Sequence, residues 1–191
     1  EKFYVAAQKP NVDILIEGVD IIEENGIRSA DGTLREFDVI VLATGFEADR
    51  FMRPMTITGE NGVTLEQAWS ERPTAYMSVS IPDFPNFFML NGPSGPVGNF
   101  SLIEIAEHQW HYISQLMALV ENGVCRKVSA SQSALSKFDE ARIAAAKKSI
   151  FGSGCQSWYL DAQGIPATWP WTRAQFKEAM QKPDFTAYCL G

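Results

Sequence analysis

The feature that most constrains the fold is a glycine- and proline-rich loop between a short apolar run and a long segment with helical periodicity. Residues 87–90 form the apolar run, residues 91–98 form the loop, and apolar side chains recur at helical spacing over residues 102–120. Because glycine and proline interrupt regular structure, this pattern predicts a strand, a loop and a helix in that order. Ser101 and Glu104 have the spacing of a capping box, which indicates where the helix begins.

A second passage of this kind lies earlier in the chain. Residues 38–42 (DVIVL) are almost continuously apolar, as expected of a strand covered on both faces, and they lead directly into Ala43, Thr44 and Gly45. In open α/β sheets ligands bind beyond the carboxyl ends of strands, and small residues there let a planar ligand approach the backbone. An ordinary turn has the same composition, so this passage alone leaves both interpretations open.

The rest of the sequence predicts a mixed α/β chain. We expect β-structure over the first 45 residues, with turns at Asn25-Gly26 and at residues 30–33, and a strand over residues 157–160 followed by a turn at residues 161–164. Further helices are expected after the capping-box pair Thr64 and Gln67, over about residues 133–148, and from the pair Thr172 and Gln175 to about Met180.

Composition argues against several function classes. The net charge of −7, without any basic run, argues against nucleic-acid binding, and the sequence has no stretch of about 18 apolar residues that would predict a membrane span. Three widely spaced cysteines, Cys125, Cys155 and Cys189, indicate reduced thiols and a cytoplasmic location. His108 and His111 lie three residues apart, but no third ligand is placed to complete a metal site, so none is expected.

Four segments together resemble the Baeyer–Villiger-type and related flavin-containing monooxygenases (class B flavoprotein monooxygenases). DVIVLATGF at 38–46 is similar to the late strand and ATGF turn of that family, and FPNFFMLNGP at 84–93 is similar to its FPNLF-x-x-x-GP element. Residues 94–104 are similar to its helix-start loop, and CQSWY at 155–159 resembles its S-W-Y/F element. The resemblance covers nearly the whole chain, and it implies the C-terminal part of a flavoprotein with two dinucleotide-binding domains.

The resemblance also implies FAD and NADPH as cofactors and gives roles to individual residues. In the family the ATG turn and the GP loop close over the FAD, the helix start faces the flavin ring, and the S-W-Y tryptophan contacts NADP. The cofactor-binding residues implied here are Ala43, Thr44, Gly45, Phe46, Gly92, Pro93, Ser94, Gly98, Asn99, Ser101 and Trp158. Without the resemblance, packing would be the expected role of Trp158.

The same resemblance places Val97 and Phe100 beside the substrate pocket. Phe100 stands where many family members have a polar residue, which favours a more apolar pocket or a different loop arrangement. No residue of this chain is assigned as a catalytic acid, base or nucleophile, or as a metal ligand. The residues named here are therefore expected to support a flavin and to shape a pocket.

Several family motifs are absent from the sequence. It contains neither of the two G-x-G-x-x-G cradles for dinucleotides, nor the F-x-G-x-x-x-H-x-x-x-W-P stretch with the catalytic Arg that the resemblance implies. It begins without an initiator Met or a signal-peptide pattern, which indicates a start within a longer protein. We therefore expect residues 1–122 to be the C-terminal segment of an FAD-binding domain, residues 123–191 to be a C-terminal subdomain, and the chain to be inactive alone.

The function implied by the resemblance is insertion of one oxygen atom from O2 into a ketone, or oxygenation of nitrogen or sulfur, with NADPH as the reductant. A small organic substrate and O2 are the expected partners. One alternative is another flavoprotein with two dinucleotide-binding domains, either an N-hydroxylating monooxygenase or a reductase. The other is a non-catalytic fragment that self-associates through apolar faces left uncovered.

Overall fold

The structure, a computed structural model, describes residues 2–45, 50–98, 100–152, 154, 159–161 and 163–191. Contacts between residues divide the chain into two compact units, Glu1–Thr44 and Gly45–Gly191. The predicted boundary between residues 122 and 123 is of a different kind, because it separates a segment of an FAD-binding domain from a subdomain. That boundary stays a prediction.

The first unit contains one short helix and a three-stranded antiparallel sheet in the order β1-β2-β3. The predicted turn at Asn25-Gly26 is confirmed, because Glu23 and Gly26 face each other across the first hairpin. Gly26 lies so close to the neighbouring third strand that a Cβ on it would overlap the Arg35 carbonyl oxygen. The elements are α1 (Lys2–Ala7), β1 (Val19–Glu23), β2 (Gly26–Ser29) and β3 (Leu34–Glu36).

Three expectations for the first unit were wrong. Residues 2–7 are helical instead of β-structure, and residues 12–16 and 38–42 lie outside regular secondary structure. A strand requires a neighbour that pairs with its backbone N–H and C=O groups, and none of the strands in the described part of the chain pairs with these two runs. The apolar side chains of the second run, such as Val41 at 81% exposure, are consequently uncovered within this unit.

The described part of the second unit is mainly helical, with one two-stranded antiparallel sheet. Its longest element is α3, whose apolar residues recur as predicted. The elements are α2 (Leu65–Ala68), α3 (Leu102–Glu121), β4 (Val128–Ala130), α4 (Gln132–Ala146), α5 (Arg173–Ala179) and β5 (Tyr188–Leu190).

Most of the predicted helix boundaries are confirmed. Thr64 and Thr172 each form a capping box, with their hydroxyls accepting from the third backbone N–H of α2 and α5. The helix α3 ends at Asn122 as expected, and Gly123 follows with φ of 70°, a left-handed conformation that suits glycine.

The capping box predicted at Ser101 and Glu104 is not formed, although α3 does begin there. The side chain of Ser101 makes no capping hydrogen bond in the described structure. The Glu104 carboxylate is instead bound by Arg173, whose Nε donates to Oε1 at 2.9 Å, and it lies 3.7 Å from His108 Nε2. The hydrogen bond from Arg173 lowers the pKa of Glu104 below its ordinary value.

The short strand predicted at residues 87–90 is reduced to a single bridge. Phe88 bridges Ser80, while the Asn86 side chain turns toward β4 and accepts from Val128 N at 3.0 Å. Leu160 bridges Pro166 across the predicted turn at residues 161–164, and residues 157 and 158 lie outside the described residues.

The larger hydrophobic core of the second unit is an aromatic cluster. Phe176 of α5 is fully buried, and the Trp169 ring lies edge-on to it at 5.1 Å between centroids. The rings of Trp169 and Trp171 are 4.8 Å apart and inclined by 70°. Edge-to-face contacts of this kind stabilise a core beyond the area that they bury. A smaller core contains Leu65, Trp69, Ala75, Ile81, Phe84 and Met89.

A pair of buried tyrosines joins α3 to β5. Tyr188 Oη donates to Tyr112 Oη at 3.0 Å, and both rings are almost fully buried. Burial raises the pKa of both phenols above their ordinary value. In the unfolded chain the two phenols ionise near their ordinary pKa, whereas in the folded chain they stay protonated to higher pH. Their contribution to stability is fully present below the unfolded pKa of about 10 and is lost as the pH rises above it.

We expect alkaline pH to destabilise this chain through the tyrosine pair. Above pH 10 the free energy of unfolding should fall by up to about 1.4 kcal/mol per tyrosine for each pH unit. In the double variant Tyr112→Phe/Tyr188→Phe, which removes both members of the hydrogen bond together, the fall should be less steep. Urea unfolding between pH 8 and about 11 measures both slopes, and equal slopes would contradict this assignment.

Candidate functional site

The glycine- and proline-rich loop at residues 91–98 is called the GP loop. Its residues 92–96 are buried between two segments of the second unit. On one side Gly92 lies so close to Ser78 that a Cβ on Gly92 would overlap the Ser78 carbonyl oxygen. On the other side the Gly95 carbonyl oxygen accepts hydrogen bonds from Trp169 N at 3.1 Å and Thr168 Oγ1 at 3.2 Å. Backbone packing and hydrogen bonds together hold this loop in one conformation.

A buried glutamine of α3 connects the loop to the segment that it packs against. Gln109 Oε1 accepts from Asn91 N at 2.7 Å, and Gln109 Nε2 donates to Ser78 O at 3.5 Å. Gln109 is not among the residues predicted from the sequence to contribute to a site. The available signal was its position four residues after Ile105, where a polar side chain interrupts the apolar stripe of the helix.

Four residues around the loop adopt left-handed backbone conformations although they are not glycines. The φ angles are 54° at Met77, 61° at Ser78, 52° at Asn91 and 65° at Ser94. Such conformations cost on the order of 1–3 kcal/mol each and persist only where the surroundings enforce them. Four further residues of the described chain, Met52, Asn61, Asp83 and Asn86, also have positive φ. The four at this loop lie together with its buried backbone contacts, which supports it as a candidate functional site.

Two polar atoms beside the loop are buried without a hydrogen-bond partner among the described residues. They are Ser78 Oγ and Asn91 Oδ1. The Ser78 hydroxyl lies beside Gly95, 3.8 Å from the position of a Cβ on that glycine. An unpaired buried polar group costs about 1–3 kcal/mol, and a ligand with polar atoms at its edge removes that cost. The hydroxyl can donate or accept, and the amide oxygen accepts.

An apolar cleft adjoins Asn91 at the beginning of α3. Its volume is about 420 Å³. The side chains of Ile103 and Trp110 are 75% and 54% exposed, so the cleft presents apolar surface to a ligand or to another part of a protein. The N–H groups of the first turn of α3 receive no cap from Ser101, and they carry the partial positive charge of a helix start. The cleft is lined by Asn91, Leu102, Ile103, Ala106, Glu107 and Trp110.

The residue that follows the predicted NADP-contacting tryptophan reaches the end of the loop. Tyr159 Oη lies against Gly98, where a Cβ would overlap the hydroxyl, and Gly98 has φ of 83°. Tyr159 O also accepts from Ala167 N at 2.7 Å. The structure therefore brings together the GP loop and the described end of the S-W-Y element, whose contacting residues are 61 positions apart in the sequence.

The cofactor-binding residues predicted in the two units differ in their surroundings. Gly92, Pro93 and Ser94 are adjacent and buried. Ala43, Thr44 and Gly45 are exposed and lie outside regular secondary structure. Ser101 is exposed and Gly98 is also exposed. Phe46, Asn99 and Trp158 lie outside the described residues.

The two predicted substrate-pocket residues also lie in different surroundings. Val97 is half-buried at the end of the loop. The Phe100 ring packs on the aromatic core, 5.7 Å from the Phe176 centroid. Both assignments to a substrate pocket stay predictions.

The described residues provide no group of three His, Cys, Asp or Glu side chains that could hold a metal ion. His108 contacts Glu104 and lies 6.4 Å from the Phe176 ring. Cys125 and Cys189 are free thiols, and Cys155 lies outside the described residues. None of the helices in the described ranges has both the length and the apolar character needed to cross a membrane.

Comparison with known proteins relates nearly the whole chain to monooxygenases. It is 41% identical over 175 residues to an uncharacterized monooxygenase of Mycobacterium tuberculosis, covering 92% of this chain and 35% of the relative. It is 32% identical over 189 residues to a Baeyer–Villiger monooxygenase of Streptomyces coelicolor, covering 97% of this chain and 36% of the relative. Other relatives, at 28% to 31% identity, are named FAD-binding monooxygenases. No family model matches the chain.

The fold agrees with these relationships. The crystal structure of cyclohexanone monooxygenase from Rhodococcus sp. Phi1 bound to NADP+ superposes with a TM-score of 0.81 at 27% identity, covering 98% of this chain and 37% of that protein. The match is to the C-terminal portion of such structures. The chain spans about a third of the length of the relatives that it matches. Over that third its sequence and fold match the C-terminal portion of proteins named as Baeyer–Villiger and FAD-binding monooxygenases.

We expect the substitution Gly98→Ala to destabilise the second unit by about 1–3 kcal/mol, because it adds both a left-handed alanine and an overlap with Tyr159. The matched control is Gly123→Ala, which also has positive φ but meets no atom within 4 Å, and which should cost only the backbone strain. Adding Tyr159→Phe to Gly98→Ala should restore part of the loss by removing the overlapping hydroxyl. Urea unfolding measures all three variants, and equal losses for the two glycines would argue against the contact with Tyr159.

Proposed function

We propose that this chain is the C-terminal part of an FAD- and NADPH-dependent monooxygenase that inserts one oxygen atom from O2 into a ketone, or oxygenates nitrogen or sulfur. The observation that carries the proposal is the buried loop at Gly92, Pro93 and Ser94 with the unpaired atoms of Ser78 and Asn91 beside it. The names of the relatives support FAD, and the NADP+-bound neighbour supports the nicotinamide cofactor. The names of the Baeyer–Villiger and cyclohexanone monooxygenases support a ketone substrate.

The residues of this chain would act by binding and orienting the flavin. A bound FAD supplies the redox and oxygen chemistry, while the protein supplies the binding, the orientation and the dry surroundings. The Gly92 backbone, fixed against Ser78, would close over the ring, and Asn91 Oδ1 would accept a hydrogen bond from its polar edge. The uncapped first turn of α3 would stabilise negative charge there.

Apolar side chains would exclude water from the same place. Leu102 and Ile103 lie at the start of α3 and would cover the ring region, where a low dielectric strengthens every polar contact. Val97 and Phe100 would face the substrate, and Trp158 would contact NADPH. The roles of Ala43, Thr44, Gly45 and the other predicted cofactor-binding residues are part of this proposal.

By itself the chain should be inactive, since the two dinucleotide cradles do not occur in its sequence. Of the alternatives, the N-hydroxylating monooxygenase is the runner-up for the complete protein, because the S-W-Y element argues against a reductase. The cysteine spacing favours the cytoplasm as its location.

A non-catalytic, self-associating state of the isolated chain has an observation in its favour. Within the first unit Ile16, Val41 and Leu42 are 92%, 81% and 72% exposed, and Val39 is 75% exposed. Uncovered apolar surface of this kind promotes association between copies. We propose that the isolated chain self-associates through these residues, and sedimentation velocity of the chain at several concentrations tests this.

The proposed function predicts that the isolated chain retains no FAD, whereas the complete protein purifies with it. The complete protein should consume NADPH and O2 and convert a cyclic ketone to a lactone of one additional oxygen atom. Visible spectra with added FAD, oxygen uptake and product analysis measure these outcomes. Tight stoichiometric FAD binding by the isolated chain would contradict its incompetence, and a complete protein that never oxygenates a ketone, amine or sulfide would contradict the monooxygenase.

The unpaired amide oxygen gives a second, residue-level prediction. In the complete protein, Asn91→Ala should weaken FAD binding about ten-fold, the effect expected when one buried hydrogen bond is lost. The matched control is Asn122→Ala at the opposite end of α3, where the contacts seen are made by the backbone. Fluorescence titration of the apoprotein with FAD measures both affinities, and an unchanged affinity for Asn91→Ala would remove this residue from the site.

A further inference from the structure

A buried arginine of α4 connects that helix to the chain segment that ends on the GP loop. This segment is called the 159–168 hairpin, and the structure describes all of it except residue 162. Arg142 is 1% exposed, and its Nη1 donates to the Pro166 carbonyl oxygen at 2.7 Å. Its Nε and Nη2 contact Asp139 Oδ1 at 2.9 and 2.8 Å. A guanidinium can serve two acceptors at once because its donors diverge in a fixed plane.

Asp139 is shared between two arginines, which extends the connection to the segment before the GP loop. Its Oδ2 forms an ion pair with Arg72 Nη2, and Arg72 Nη1 donates to Gln163 Oε1 at 3.3 Å. Two guanidinium groups therefore contact the 159–168 hairpin, and one carboxylate one turn before Arg142 holds both of them. Ion pairs with little solvent exposure hold their geometry strongly, because breaking one leaves a buried charge without a partner, which destabilises the fold.

The other end of the hairpin contacts the GP loop. Thr168 Oγ1 and the backbone N–H of the following residue, Trp169, both donate to Gly95 O. Tyr159 Oη lies against Gly98. Between these contacts the hairpin closes on itself through the bridge of Leu160 with Pro166. A displacement at Pro166 would therefore move both the loop contact at Gly95 and the residue directly after Trp158.

We propose that Arg142 is a positioning residue that seats the 159–168 hairpin on the GP loop, and thereby fixes Tyr159, the described end of the S-W-Y element, against Gly98 for binding of the nicotinamide dinucleotide. The inference rests on the proposed function for the dinucleotide. The seating of the hairpin is a separate property of this chain. Arg142 itself contacts neither cofactor nor substrate and acts through Pro166.

The first test measures the seating on the isolated chain by amide hydrogen exchange. Arg142→Met removes the three guanidinium contacts but keeps an apolar stem, and Asp139 retains Arg72 as its partner. The amides of Asp161, Ala167 and Trp169 should exchange about ten-fold faster or more, as expected when charge-assisted buried hydrogen bonds are lost. Amides in the middle of α3 should be unaffected. Equal acceleration in α3, or none in the hairpin, would overturn the proposal.

Two further variants separate positioning from a general loss of stability. Arg142→Lys keeps the charge, but its single ammonium cannot reproduce the planar fork that serves Asp139 and Pro166 together, so it should rescue only partly. Arg53→Gln is the matched control, because Arg53 also forms a two-point pair with a carboxylate, at 3.0 and 2.8 Å from Glu66. It should leave hairpin exchange unchanged, and acceleration in this control would overturn the assignment to Arg142.

The second test measures NADP+ binding to the complete, FAD-loaded protein. Arg142→Met should weaken the affinity for NADP+ and raise the KM for NADPH about ten-fold while FAD content stays the same. An unchanged affinity with an altered hairpin would overturn the link to the dinucleotide. If the unsubstituted complete protein binds no NADP+, the proposed dependence on NADPH is wrong, and the role of Arg142 in dinucleotide binding is wrong with it. Hydrogen exchange still decides separately whether Arg142 seats the hairpin.

Discussion

The contact between the backbones of Gly92 and Ser78 is the constraint on which the rest of the second unit depends. A side chain at residue 92 would collide with the Ser78 carbonyl, and Ser78 itself adopts a left-handed conformation. Gln109 stabilises this arrangement from α3, because it binds the Ser78 carbonyl with one amide atom and Asn91 N with the other. The position of the long helix relative to the loop is thereby set by a polar contact inside an apolar stripe.

Helices could be predicted from the sequence far better than strands, and the reason is the range of their hydrogen bonds. The capping boxes at Thr64 and Thr172 act over three residues, so the sequence contains the whole interaction. The run at residues 38–42 has the composition of a buried strand, but a strand is formed only with a partner. The capping box at Ser101 and Glu104 is also not formed, and the Glu104 carboxylate is bound by Arg173, 69 residues away.

Residues of the candidate site could be identified from the sequence where they belong to a recognisable motif. They could not be identified where their role depends on contacts with residues far away in the sequence. Gly92, Pro93 and Ser94 were identified from the GP element and form a buried loop. The resemblance gave no role to Gln109 or Arg142, whose contacts with Asn91 and Pro166 join residues 18 and 24 positions apart in the sequence. Burial of a long polar side chain is decided by the finished tertiary structure, and only the interruption of an apolar stripe hints at it.

The two neighbouring tryptophans have a consequence for how this chain can be observed. The indole rings of Trp169 and Trp171 lie 4.8 Å apart at 70°, and transition dipoles so close and so inclined couple with each other. Such a pair gives a split circular dichroism band that disappears when either ring rotates away. Because Trp169 N also donates to Gly95 O, the folded chain carries an intrinsic optical reporter beside the GP loop, which needs neither a label nor a bound chromophore.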